Sequence, residues 1–176
     1  MMRLITLILA LSLTLSLSAN ATELHSQELL GVSKTLVLVR HAEKSAGEDN
    51  DPSLSQAGKI RAEGLVHKLK NYRFSQLLAS PFKRTQATLQ PISEALGIPI
   101  TVIEVKSGLE AHITATINTV EARAGDVLIA GHSNTLPRII AAFGGPKIDD
   151  LDEHQYSNIY ELKIYSSGRV EFTQLE

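Results

Sequence analysis

Two histidines and two arginines stand where they could handle a phosphoryl group. Arg40-His41 closes the apolar run Thr35-Leu-Val-Leu-Val-Arg40, Arg84 lies in Ser80-Pro-Phe-Lys-Arg84, and His132 lies in Gly131-His-Ser-Asn134, directly after the run Asp126 to Ala130. A carboxylate, Glu104, comes near the end of a further run, Ile100 to Val105. Guanidinium forks bind phosphate oxygens in bidentate fashion, and an imidazole can attack phosphorus or donate to one of its oxygens. A single histidine in such a place is more often a hydrogen-bonded structural residue, and a single arginine on a helix more often a solvated one. Their common position is what separates them from that background. Each comes after a run that reads as a strand, and open α/β sheets form their sites outside the carboxyl ends of strands.

The elements that must position these residues are set by periodicity and by turn residues. Thr35–Arg40 is a continuous β-branched and Leu run, the pattern of a strand covered on both faces. After a polar loop containing Asp51-Pro52, Ser55 is a fitting N-cap for a helix to about Lys70. Gln76–Ala79 reads as a second strand, and Ser80-Pro81 as the opening of a second helix that Pro91 kinks or divides before Gly97 ends it. Ile100–Val105 is a third strand, Leu109–Arg123 a third helix, Asp126–Ala130 a fourth strand and Thr135–Phe143 a short helix closed by Gly144-Gly145. Asn158–Tyr165 and Arg169–Thr173 form a terminal hairpin turned at Ser167-Gly168. This alternation predicts a single-domain α/β three-layer sandwich: a mostly parallel sheet, helices on both faces and an antiparallel C-terminal edge.

Composition bounds what such a domain can be. Seventeen Lys+Arg against 19 Asp+Glu, 43% hydrophobic residues and no Cys in 176 residues exclude a disordered chain, a disulfide scaffold, a thiol nucleophile and a Cys-based metal site. A net charge of −2 gives no reason to expect a nucleic-acid partner. Residues 1–21 read as a signal peptide: Arg3, an apolar stretch from Leu4 to Leu17, and the small-x-small site Ala19-Asn-Ala21. The apolar stretch is shorter than the roughly 20 residues of a spanning helix, so cleavage, rather than retention as an anchor, is expected, with no stable membrane insertion afterwards. The remaining chain keeps 16 basic against 19 acidic residues and divides into a polar leader, 22–33, and a catalytic domain, 34–176, placed in the periplasm or outside the cell.

The motifs resemble, in order, those of the histidine phosphatase (phosphoglycerate mutase-like) superfamily. Arg40-His-Ala-Glu-Lys44 resembles its R-H-G/A signature, and Asp51-Pro-Ser-Leu-Ser-Gln-Ala-Gly58, continuing to Arg61-Ala62, its L-[ST]-x-x-G-x-x-[RQ]-A segment. Ser80-Pro-Phe-Lys-Arg-Thr-Gln-Ala-Thr88 resembles S-x-x-x-R-[AT]-x-x-T, Gly131-His-Ser133 resembles [SG]-H-[GS], and Asp150 to Tyr160 is similar to a stretch near the end of many small members. The resemblance implies that His41 is a nucleophile that becomes transiently phosphorylated, that Arg40 and Arg84 clamp the phosphoryl oxygens, and that a protonated His132 stabilises the transferring group. It implies no metal and no cofactor, because phosphoryl transfer needs positioning and charge neutralisation above all.

The leaving-group acid is the departure from the family pattern. Many members carry a Glu or Asp after the third strand in an E-x-x-x-G-x-x-E-G context that is missing here, and Ser133 cannot replace the acid that H-D relatives place after the second His. Glu104 is the first candidate and Glu110 the second; with neither, good leaving groups or phosphoramidates are the favoured substrates. Ser133 and Asn134 are expected to donate hydrogen bonds to phosphate, with helix capping the alternative for Asn134; Glu43 and Lys44 are expected to orient the loop or contact substrate, with a surface ion pair the alternative. His154, among Asp149, Asp150, Asp152 and Glu153, has no fixed ligand spacing, so no metal is expected there. The expected function is a phosphatase acting on a small or envelope-linked phosphate monoester. A non-catalytic protein that captures phosphorylated ligands is the alternative, and a mutase is disfavoured because the loops leave little chain for a lid.

Overall fold

The computed structural model describes residues 31–47 and 50–175. The expected signal peptide, 1–21, lies outside the described residues, as does the leader up to residue 30. Among the described residues ten elements occur in chain order: β1 (Val32–Arg40), α1 (Gln56–Lys68), β2 (Phe74–Ala79), α2 (Lys83–Leu96), β3 (Ile100–Val102), α3 (Leu109–Glu121), β4 (Asp126–Gly131), α4 (Leu136–Ala142), β5 (Ile159–Tyr165) and β6 (Val170–Leu175). They build one six-stranded sheet in the order β3-β2-β4-β1-β5-β6. β1, β2, β3 and β4 are mutually parallel, and β5 and β6 form an antiparallel edge.

The order explains why helices cover both faces. The chain steps outward from β1 to β2 to β3 and then returns to insert β4 between β1 and β2. Right-handed crossovers put helices on one face while the chain moves one way and on the other face when it reverses. Leu65 and Leu69, at and just beyond the end of α1, and Leu89 and Ile92 of α2 accordingly pack with Val37, Val39, Leu77 and Leu128. Ile113 and Val120 of α3, with Ile139 and Ile140 of α4, pack on the opposite face with Leu36, Leu38, Leu78 and Ile129. β1 is thus buried on both faces, which is why its sequence is a continuous apolar run rather than an alternating one.

Three features that bear on the site differ from the sequence reading, apart from shifts of one to three residues at other element ends. α2 begins at Lys83, not at Ser80-Pro81, because the Ser80 hydroxyl is engaged by Thr85 and His132 in the turn before the helix. Pro91 neither divides nor ends α2, which runs unbroken to its cap at Gly97. Pro91 sits on the partly exposed side, while Thr85, Thr88, Leu89 and Ile92 are buried, and that buried face holds the helix across the missing N–H. β3 ends at Val102 rather than Val105: it is an edge strand with β2 as its one neighbour, and after the Ile103 N–H donates to the Ala79 carbonyl the chain leaves the sheet.

Candidate active site

The carboxyl ends of β1 and β4 are adjacent, with Arg40 in register with Gly131 and the His41 N–H donating to the Gly131 carbonyl at 2.9 Å. This pairing brings His41 and His132 together, their rings 5.3 Å apart in an edge-to-face arrangement. Gly131 allows a close approach there: a Cβ would come within 2.8 Å of the Thr135 hydroxyl and 2.7 Å of the Leu136 side chain, which would have to shift. The same Thr135 hydroxyl accepts the His132 N–H at 2.8 Å, which orients the second histidine loop. Arg84, in the first turn of α2, reaches across to His132, and its guanidinium lies over the Phe82 ring.

The tautomers of both imidazoles are set by their partners. The His41 Nδ1–H donates to the Ala42 carbonyl at 2.8 Å, so Nε2 carries the lone pair. Arg84 can only donate, so its 3.4 Å contact makes His132 Nδ1 an acceptor and puts the proton on Nε2. That Nε2–H donates to Ser80 Oγ at 2.8 Å, and the chain of hydroxyls continues through Thr85 Oγ1 to the Phe82 carbonyl. Burial, together with the nearby cations Arg84, Arg40 and Lys44, lowers His41 to about 4, against the pull of its bond to Ala42. Burial, followed by Arg84 and His41, lowers His132 to about 3. Both rings are therefore neutral near pH 7, and the expected protonated His132 is not the state of the free protein.

The arginines are held on their outer sides. Arg40 is buried, donates to the Asp152 carbonyl at 2.6 Å, pairs with Glu153 at 3.3 Å and lies over the Tyr156 ring, 4.3 Å from its centroid. Arg84 pairs with Asp51 at 3.6 Å, and the Asp51 carboxylate also accepts the Lys83 backbone N–H that begins α2. The Nε atoms of Arg40 and Arg84 are buried donors without an acceptor among the described residues. Arg40, His41, Arg84 and His132 line one pocket of about 560 Å³ together with Lys44, Phe82, Leu109, His112, Ser133, Asn134 and Glu153.

The remaining sequence candidates divide. Ser133 and Asn134 line this pocket, and the residue that caps α4 is Thr135, not Asn134. The Glu43 carboxylate is taken by a bidentate pair with Arg61 of α1, at 2.6 to 3.0 Å, so Glu43 joins the first loop to the helix rather than lining the pocket. Glu104 is not brought in: the chain has left the sheet, its carboxylate is 59% exposed, and it pairs with Lys106. Glu110 is 80% exposed and pairs with Arg138. The acidic loop around His154 holds Arg40 through Asp152 and Glu153; among the described residues no cluster of three or more potential metal ligands occurs.

Four contributors escaped the sequence reading as parts of the site. Asp51, Glu153 and Tyr156 lie inside stretches that resemble family segments, which is their only signal. His112 has none beyond its spacing of three from Leu109, which puts both on one face of α3. Among the described residues no helix is long and apolar enough to cross a membrane.

Comparison with known proteins gives one family and one fold. The family model for the histidine phosphatase superfamily (branch 1) matches residues 36–110. No curated protein sequence matches the chain significantly. Among solved structures, the protein histidine phosphatase SixA bound to tungstate superposes with a TM-score of 0.63 at 18% identity, covering 81% of this chain and 96% of that one. The α-ribazole phosphatase of Shigella flexneri gives 0.60 at 16% identity, over 80% and 95% of the two chains. A mycobacterial glucosyl-3-phosphoglycerate phosphatase gives 0.60 at 12% identity, over 80% and 96%. The segment that resembles the histidine phosphatase superfamily carries the first histidine and both arginines, and the solved structures share the fold.

Proposed function

We propose that the protein is a phosphatase that hydrolyses phosphate monoesters through a phosphohistidine intermediate on His41. The observation that carries this reading is the state of His41: buried, neutral, its Nδ1–H tied to the Ala42 carbonyl and its Nε2 lone pair left for attack, in a pocket flanked by Arg40 and Arg84. His41 Nε2 forms a bond to phosphorus as the ester P–O bond breaks, and the departing oxygen takes a proton. Water then attacks phosphorus, the P–N bond breaks, and inorganic phosphate leaves. Arg40 and Arg84 balance the phosphoryl charge, and Ser133 and Asn134 supply further hydrogen bonds. His132 gains a proton when a dianion replaces its contact with Arg84, and then donates to a phosphoryl oxygen.

The pocket is open, which suits hydrolysis better than a mutase that must keep its phosphoenzyme dry. The phosphorylated ligands named for the structural relatives, a phosphoglycerate derivative among them, support a small phosphate monoester as substrate. Export to the periplasm or medium is part of the same proposal and rests on the sequence of residues 1–21 alone. The displacement of the Glu104 and Glu110 carboxylates from the pocket favours one alternative, a protein that only captures phosphoryl ligands. Turnover of an aryl phosphate by wild type and His41→Ala decides between them. A catalyst loses nearly all activity in the variant, and wild type leaves acid-labile phosphate on His41 after rapid quenching; equal, negligible turnover with retained phosphate binding rejects the enzyme.

A further inference from the structure

We propose that His112 is the proton donor to the leaving group, in a pocket where no carboxylate among the described residues is free for that role; the proposal rests on the phosphatase reading above. His112 is buried on the first turn of α3 and lines the same pocket as His41 and His132. The turn Val105–Gly108, closed by the Gly108 N–H on the Val105 carbonyl, starts the helix so that Leu109 and His112 share the wall facing the pocket. The ring is fixed: Nδ1 lies 3.2 Å from the Glu104 backbone carbonyl, which can only accept, so Nδ1 carries a proton and Nε2 is the exchangeable position. Glu104 thus serves the site through its main chain, not through its carboxylate.

Among the described residues, the other candidate acids are committed elsewhere. Glu104 and Glu110 pair outward with Lys106 and Arg138, and Glu43 pairs with Arg61. Glu153 lines the pocket mouth, but it is held by Lys44 and Arg40, which keep it ionised, an acceptor rather than a donor. His41 is the nucleophile, and His132 Nε2 is occupied by Ser80. Around His112 the remaining charges are Arg40, Arg84 and Lys44, which a bound phosphoryl dianion offsets.

The cycle closes on this residue. As the P–O bond breaks and the P–N bond to His41 forms, His112 Nε2 gives its proton to the ester oxygen and becomes neutral. In the second step the neutral Nε2 takes a proton from the water attacking phosphorus, the P–N bond breaks, and the imidazolium is restored.

The test compares kcat/KM on p-nitrophenyl phosphate, whose leaving group needs no proton, with that on glycerol phosphate, whose leaving group does. His112→Asn keeps a donor for the Glu104 carbonyl and loses the ionisable nitrogen. It is expected to lower the alkyl ester by about 100-fold or more and the aryl ester by less than about 10-fold. His112→Gln, checked by near-UV circular dichroism, serves if the Asn variant does not fold. Equal losses on both esters, no loss on either, or a leaving-group-dependent loss in Glu153→Gln but not in His112→Asn overturn the assignment. Wild type inactive on both esters, with no phosphate trapped on His41, brings down the phosphatase reading and His112 with it. Wild-type turnover with a flat leaving-group response removes His112 alone.

Discussion

At the scale of single residues, the site is an arrangement of protons as much as of charges. Two imidazoles 5.3 Å apart between two guanidiniums cannot both be protonated without cost, and burial with those neighbours lowers them to about 4 and about 3. Ser80 and Thr85 give His132 a directional partner chain that keeps its proton on Nε2 and turns Nδ1 toward Arg84. A dianion brought against Arg84 changes what is wanted at His132 Nδ1 from an acceptor to a donor. Binding of sulfate, already a dianion at pH 7, is therefore expected to take up about one proton, read by calorimetry in buffers of different ionisation enthalpy. In His132→Gln the uptake should disappear; uptake that survives that substitution would place the proton on another group.

At the scale of elements, the first loop is tied to α1 by close backbone approach. Gly58 packs against the Glu43 carbonyl so tightly that a Cβ would lie 2.2 Å from the oxygen, and the Ser55 N–H donates to the same carbonyl. The Glu43–Arg61 pair fastens the next turn of the helix to that loop. Gly58→Ala cannot be relieved by turning a side chain, since the obstacle is main chain. A loss of about 1–3 kcal/mol is expected by urea unfolding, with a weaker phosphate site because the loop carrying His41 must shift. Gly64→Ala, in the same helix with nothing within 4 Å of its added Cβ, provides the comparison and should not lose stability. Helix propensity favours Ala at both positions, so a Gly58→Ala variant as stable as Gly64→Ala would mean that the approach to Glu43 does not constrain the helix.

At the scale of the whole molecule, the active site weakens the fold in acid. His41 and His132 titrate near 6.5 when unfolded and at about 4 and about 3 in the native protein, so below pH 6.5 the unfolded chain binds more protons. Their contribution is fully present above 6.5 and is lost as pH falls through the native values. Stability should drop on going from pH 6.5 to 5 by at most about 2.7 kcal/mol per unit, twice the roughly 1.4 of one imidazole. Urea unfolding at pH 7, 6 and 5 reads the slope, and His41→Gln with His132→Gln should flatten it. An unchanged slope in that double variant would assign the acid sensitivity to other groups.

Much of this is legible in the chain because short-range physics wrote it there. Thr35–Arg40 is continuously apolar since β1 is covered on both faces, and Arg40, His41, Arg84 and His132 each lie at or shortly after the end of a strand-like run. Local sequence could not decide where β3 stops, because an edge strand ends when its single neighbour ends. For that reason Glu104, plausible near the end of a longer strand, points to solvent. Nor could spacing reveal that Asp51 starts a helix 32 residues away, that Glu153 and Tyr156 close over Arg40, or that His112 enters the pocket from α3. The candidate site residues Arg40, His41, Arg84 and His132 were determined by the sequence alone, since their types and strand-end positions are local properties. Which nitrogen holds each proton, and which side chains line the pocket, were decided only by tertiary structure, because both depend on partners that meet through folding.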